Sequence, residues 1–171
     1  MDVQMSIEDK FIVRFLVFIL LMGTSFFVHA SEMKGIATYK DWRVTKVVSN
    51  MSSAVEYRAI SNATHSKEAY FLTCDHTFFF GPTDRSRPYQ AVTTWIDKKK
   101  PINHDGYTRG PFVFLGSTEA IMNKQMRAGQ TLMVQYRGDF DRHIAEFSLL
   151  GYTAAISKLK ALCSAKYLAN N

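Results

Sequence analysis

The segment Phe147–Cys163, FSLLGYTAAISKLKALC, constrains the fold more than any other part of the chain. It reads as a strand end, a glycine break and an amphipathic helix running from Tyr152 to about Leu168. Tyr152, Ala155, Ile156, Leu159, Leu162 and Cys163 recur at helical spacing as one apolar stripe, with Lys158, Lys160 and Lys166 on the other side. Such a helix must bury its stripe against another element, and the rest of the chain offers strands. Cys163 lies on that stripe. The other cysteine, Cys74, shares a strand face with Tyr70 and Leu72, so both thiols point inward and a Cys74–Cys163 disulfide is expected.

A disulfide presupposes an oxidising compartment, and the N-terminus supplies the route. Lys10 and Arg14 precede the apolar run Phe15–Phe27, and Val28-His29-Ala30 offers a small-residue cleavage site. Residues 1–30 therefore read as a secretory leader cleaved after Ala30. A retained anchor is the alternative, although Gly23, Thr24 and Ser25 interrupt a run that is short for a membrane span. The remaining residues 31–171 suit one β-rich domain. The leader holds two basic and three acidic residues, so its loss raises the formal charge from +6 to +7. A basic exported protein can meet anionic lipid, lipopolysaccharide, nucleic acid or an acidic partner, but the basic residues are spread along the chain, and a solubilising surface is the plainer reading.

After a polar lead-in at 31–35, period-two alternation marks strands at roughly 41–48, 54–60, 67–74, 77–80, 89–97, 111–116, 130–137 and 142–150. Thr77–Phe80 is a continuous apolar run that suits a strand buried on both faces. Asn103-His104-Asp105-Gly106 carries a turn signature. Ser117 can cap a short helix, with Glu119 near its positive end and Gly129 as its C-cap. These features predict a mainly β, α+β fold: an antiparallel β-sandwich or strongly curved sheet, covered by the C-terminal amphipathic helix and carrying one short helix.

Chemical constellations are sparse. Cys74-Asp75-His76 resembles a thiol beside a base, but a half-cystine next to a turn is the plainer reading. Asp139, Asp141 and His143 alternate as metal ligands can, yet Asp and Gly at a hairpin are ordinary turn chemistry. Ser117 does not stand in a nucleophile elbow, and there is no CxxC and no phosphate-binding glycine loop. No catalytic residue, cofactor or metal is expected. Phe78–Phe80 and Trp95 can form an aromatic platform, with core packing as the plainer alternative. Lys98, Lys99, Lys100, His104 and Arg109 are the candidate partner-binding loop, and residues 82–88 are a second presenting loop.

GYTAAISKL directly after the strand FSLL, approached by MRAGQTLMVQYR, resembles the closing motif of the invasion-associated locus B family of small exported bacterial proteins. DWRV is similar to that family's opening Trp-x-Val strand, although Thr45 and Lys46 stand where the family usually has a cysteine. The strand, glycine and cysteine-bearing helix also resemble periplasmic accessory proteins of type VI secretion. Neither family has a catalytic motif to carry over. The resemblance implies a non-enzymatic periplasmic or surface protein, with a binding or scaffold role in host association, invasion or envelope homeostasis. An accessory component or exported effector of a secretion system is the alternative. The expected partner is a protein or envelope component rather than nucleic acid, with membrane contact only through the leader or peripherally.

Overall fold

The computed structural model describes residues 32–49, 52, 54–82, 88–116, 120–138 and 141–169. The leader and its cleavage point, the centre of the 82–88 loop, Ser117, Glu119 and Asp139 lie outside the described residues. Alternating sequence becomes paired strand almost throughout: β1 (Glu32–Tyr39), β2 (Trp42–Val48), β3 (Val55–Asn62), β4 (Ala69–Thr73), β5 (Thr77–Phe80), β6 (Tyr89–Ile96), β7 (Ile102–Arg109) and β8 (Phe112–Gly116) precede the short helix α1 (Ala120–Ala128). β9 (Thr131–Arg137), β10 (Arg142–Ser148) and the long helix α2 (Tyr152–Ala169) follow. All ten strands join one antiparallel sheet in the order β1-β2-β3-β4-β5-β8-β7-β6-β9-β10.

The sheet curls until β10 reaches β2 and the end of β3, so the curved sheet rather than the sandwich is what forms. Ala63, just past β3, bridges Phe147 of β10, and Thr64 N donates to Glu146 O at 2.8 Å. Trp42 Nε1 of β2 donates to Ser148 O at 2.9 Å. Curling gives the sheet an inner face that one helix can cover. Trp42, Tyr70, Phe79, Val134 and Phe147 fill that face, and Tyr152, Ala155, Ile156 and Leu159 of α2 lie buried against them. Tyr152 meets Trp42 edge to face at 5.2 Å, which places the first turn of α2 over the centre of the core. Met122 and Met126 of α1 complete it. Among the described residues no helix is long and apolar enough to cross a membrane.

The expected disulfide is present. Cys74, just after β4, is bonded to Cys163 of α2, with Cα atoms 5.6 Å apart. One helical turn further on, Tyr167 OH donates to Asp75 Oδ1 at 2.6 Å, a second tie between α2 and the β4–β5 turn.

Three local readings need correction. Residues 32–39 form strand β1 rather than a lead-in. This strand pairs on one edge only, so it buries little and carries no alternating signal. Asn103–Gly106 is not a turn but the middle of β7. Gly106 is there for proximity: an added Cβ would lie 2.6 Å from Val113 Cγ1. Gly129 has no left-handed conformation to cap α1. A Cβ there would lie 2.2 Å from Ile96 Cγ2, and the chain is instead held by Asp97, whose carboxylate accepts from Gln130 N and Thr131 N.

Candidate functional site

The residues expected to form one binding loop are not brought together. Lys98, Lys99 and Lys100 are exposed in the β6–β7 turn, whereas Arg109 closes β7 seven residues beyond Ile102. That separation is roughly 23 Å at strand rise. His104 lies between them but is half-buried, with Nε2 2.8 Å from Thr94 Oγ1. The hydroxyl of Thr94 in turn reaches Met122 Sδ. His104 therefore belongs to the floor beneath α1, not to a surface loop. Cys74 is consumed by its disulfide and carries no thiol chemistry beside His76. His143 stacks on Tyr136 at 5.5 Å, so its ring is committed to packing rather than aligned with Asp141.

The strongest polar cluster sits near that ring. Glu68 is buried, and its Oε1 accepts from Tyr136 OH at 2.6 Å. Burial opposes ionisation of Glu68, but hydrogen bonds from Ser66 and Tyr136, with the nearby His143, outweigh it and hold the carboxyl below its ordinary value. Burial, and then the same hydrogen bond and negative charge, push the Tyr136 phenol well above its ordinary value. The pair is thus a charge-assisted bond that neither gives nor takes a proton near neutrality, and its chemistry is structural. A depressed folded-state pKa stabilises the fold above the unfolded carboxyl's pKa, and that contribution is lost as pH falls through the folded value. Urea midpoints should therefore fall as pH drops below about 4.5, the ordinary value for this group. Glu68→Gln should have a shallower acid limb and be about 1–3 kcal/mol less stable at neutral pH. Parallel acid limbs in the two proteins would contradict this assignment.

The feature with binding potential is the outer face of the sheet, opposite the helix-covered core. Strand alternation places Phe71, Phe78, Phe80, Phe112 and Phe114 there from β4, β5 and β8, where they pack on one another. Phe71 stacks on Phe78 at 4.8 Å, Phe78 leans on Phe114 at 5.1 Å, and Phe80 meets Phe112 at 5.6 Å. Register continues the ridge across the next strands: Tyr107 pairs opposite Phe114, and Tyr89 lies opposite Tyr107 with ring centroids 5.5 Å apart. Phe78 is covered by its neighbours, but Phe80, Tyr107 and Tyr89 are 36%, 46% and 68% exposed. The anticipated Phe78–Phe80 platform is therefore split, with Phe79 turned into the core and the outer two joined by aromatics from β8 that the sequence did not single out. The Arg58 guanidinium lies 5.7 Å over the Phe78 ring and pairs with Glu56. Arg43, Arg109, Arg137 and Arg142 share this face, against Asp105 and Glu146. A contiguous aromatic ridge flanked by guanidinium groups suits a ligand that is apolar in one part and anionic in another.

No family model matches the chain in sequence, and no curated protein does. In three dimensions the described residues form one strongly curved antiparallel sheet covered by a C-terminal helix. A crystal structure of invasion associated protein B from Bartonella henselae is similar over 78% of this chain and 96% of that one, with a TM-score of 0.54 at 14% identity. At that identity the likeness concerns the fold.

Proposed function

We propose that this is a non-enzymatic exported binding protein that attaches peripherally to an anionic lipid surface of the cell envelope through the outer face of its sheet. The observation that carries the reading is the aromatic ridge, whose exposed members are Phe80 on β5 and, beyond β8, Tyr107 and Tyr89 on the adjacent strands β7 and β6, with arginines on the same face. Amphipathic aromatic rings partition to the boundary between headgroups and hydrocarbon. Basic residues near an anionic leaflet add about 1 kcal/mol each. The disulfide supports an oxidising compartment. A role in host association or envelope homeostasis is part of the proposal, and the name of the structural neighbour, an invasion associated protein, supports it.

Co-sedimentation of the mature protein with vesicles tests this. Binding should be strong to vesicles containing phosphatidylglycerol and weak to phosphatidylcholine alone, and added salt should reduce it. Phe80→Ser combined with Tyr107→Ser should lower the partition coefficient about tenfold or more, an expectation equivalent to ~1.4 kcal/mol. An unchanged partition in that variant would sink the reading. If substituting glutamine for Lys98, Lys99 and Lys100 abolished binding instead, the contact would lie at the β6–β7 turn rather than on this face.

A further inference from the structure

We infer that the cleft where β6 and β9 part is a phosphate-ester site, with Arg137 and Arg142 as the groups that hold the oxyanion. This deepens the proposed function by giving the anionic part of the ligand a defined seat on the same face.

The two strands pair from Ile96–Leu132 to Thr93–Gln135 and then diverge, because β6 stays with β7 as far as Tyr89. The opening is a cavity of about 360 Å³ lined by Tyr89, Thr93, Gln135, Arg137 and Arg142. Its walls are held in place. Beyond the last β6–β9 pair, Gln90 supplies the missing connection: its Oε1 accepts from Arg137 N at 3.2 Å and its Nε2 donates to Thr108 Oγ1 at 3.1 Å. The hairpin carrying both arginines is fixed from beneath, since a Cβ at Gly138 would lie 2.4 Å from the His143 ring, which itself stacks on Tyr136.

The cleft also brings two like charges together. Arg137 and Arg142 are direct register partners across the β9–β10 ladder. Like charges directly opposite one another destabilise a strand pair. The single ion pair among the described residues joins Arg58 to Glu56, so neither cleft arginine is neutralised by one of them. Asp141, next to Arg142 in sequence, is exposed and makes no ion pair with either arginine, and the other described acids of this face lie further off. Asp105 lies opposite Ala91, one strand beyond the cleft, and Glu146 lies four residues along β10 from Arg142. Two planar guanidinium forks converging from adjacent strands offer more donors than one flat carboxylate can use, whereas a tetrahedral phosphate can accept from both. The cavity has room for the group that carries the phosphate, and the exposed Tyr89 ring provides a surface for it.

The test is a titration of the mature protein, followed by amide NMR, with inorganic phosphate, glycerol 3-phosphate and glycerol. The two phosphates should give saturable shifts at 89–93 and 135–142, and glycerol none. Arg137→Gln and Arg142→Gln should each weaken glycerol 3-phosphate at least tenfold. Without phosphate, Arg142→Gln should melt no lower than the parent protein, because the facing charge is relieved; with saturating phosphate the parent should melt higher. A purely structural role for these arginines would give the reverse order in phosphate-free buffer. Absence of saturable binding, or equal affinity in the glutamine variants, would overturn the inference. If vesicle binding survived that result, the aromatic-face reading would stand without the cleft. A double glutamine variant that lost phosphate-ester binding but partitioned normally into vesicles would identify a soluble phosphate ester, not a headgroup, as the occupant and retain the cleft.

Discussion

Gly151→Ala is expected to lower the thermal midpoint of the protein by roughly 10 °C or more, corresponding to over ~3 kcal/mol for a domain of this size. Two separate effects combine. Gly151 has φ +91°, a left-handed conformation that side chains with a Cβ rarely adopt. An added Cβ would also stand 1.8 Å from the carbonyl oxygen of Tyr39, so β1 or the start of α2 must move. Neither can move alone. Asp41 N donates to Leu150 O, and Tyr152, the next residue, is buried with its ring against Trp42 and its hydroxyl donating to Asn123 Oδ1 at 3.0 Å. Burial pushes the Tyr152 phenol up to about 12, as befits a hydroxyl fixed as a neutral donor. Gly110→Ala separates the two effects, because Gly110 has φ +59° but an added Cβ there meets no described atom within 4 Å. It should cost only the left-handed penalty of about 1–2 kcal/mol. Equal melting shifts in the two variants would show that the approach to Tyr39 carries no energy.

That contrast also shows what was legible before the fold was known. The break at Gly151 and the stripe on α2 could be read because a helix buried on one side leaves a periodic imprint. Tyr152, Ala155, Ile156 and Leu159 are indeed the buried residues. The crossing of β1 beneath Gly151 was not legible, since β1 is an edge strand whose exposed residues follow no period. The outer face failed for a related reason. Phe112 and Phe114 look like any strand residues, and only the pairing of β5 with β8, separated by two intervening strands, places them beside Phe78 and Phe80. A cluster assembled by non-local register has no short-range signature. The lysine run misled in the opposite direction, because adjacency in sequence to His104 and Arg109 suggested one loop where β7 separates them.

The last prediction concerns the link that joins α2 to the sheet. Cys74 and Cys163 are 89 positions apart in sequence, so their bond closes most of residues 31–171 into one loop. In the chain-entropy account, a loop of that length stabilises the fold by ~4.5 kcal/mol through restriction of the unfolded state. Whole-domain stabilities run about 5–15 kcal/mol, so this bond is a large share. Cys163→Ser together with Cys74→Ser should lower the midpoint by roughly 10–15 °C under oxidising conditions. Reduction of the parent protein should reproduce most of that fall, and the variant should be insensitive to reductant. The second tie, Tyr167 to Asp75, is exposed and cannot replace it. Peptide mapping without reduction should recover the Cys74–Cys163 pair; free thiols, or an unchanged midpoint in the double variant, would refute the role. The consequence reaches the outer face. β4 leads directly into Cys74, and it carries Phe71 on the side facing away from the helix. Reduction should loosen the attachment of α2 first and weaken vesicle binding only when the core beneath β4 and β5 gives way. Loss of vesicle binding at reductant concentrations that leave the near-ultraviolet aromatic signal intact would mean that the bond supports the outer face directly, rather than through the core.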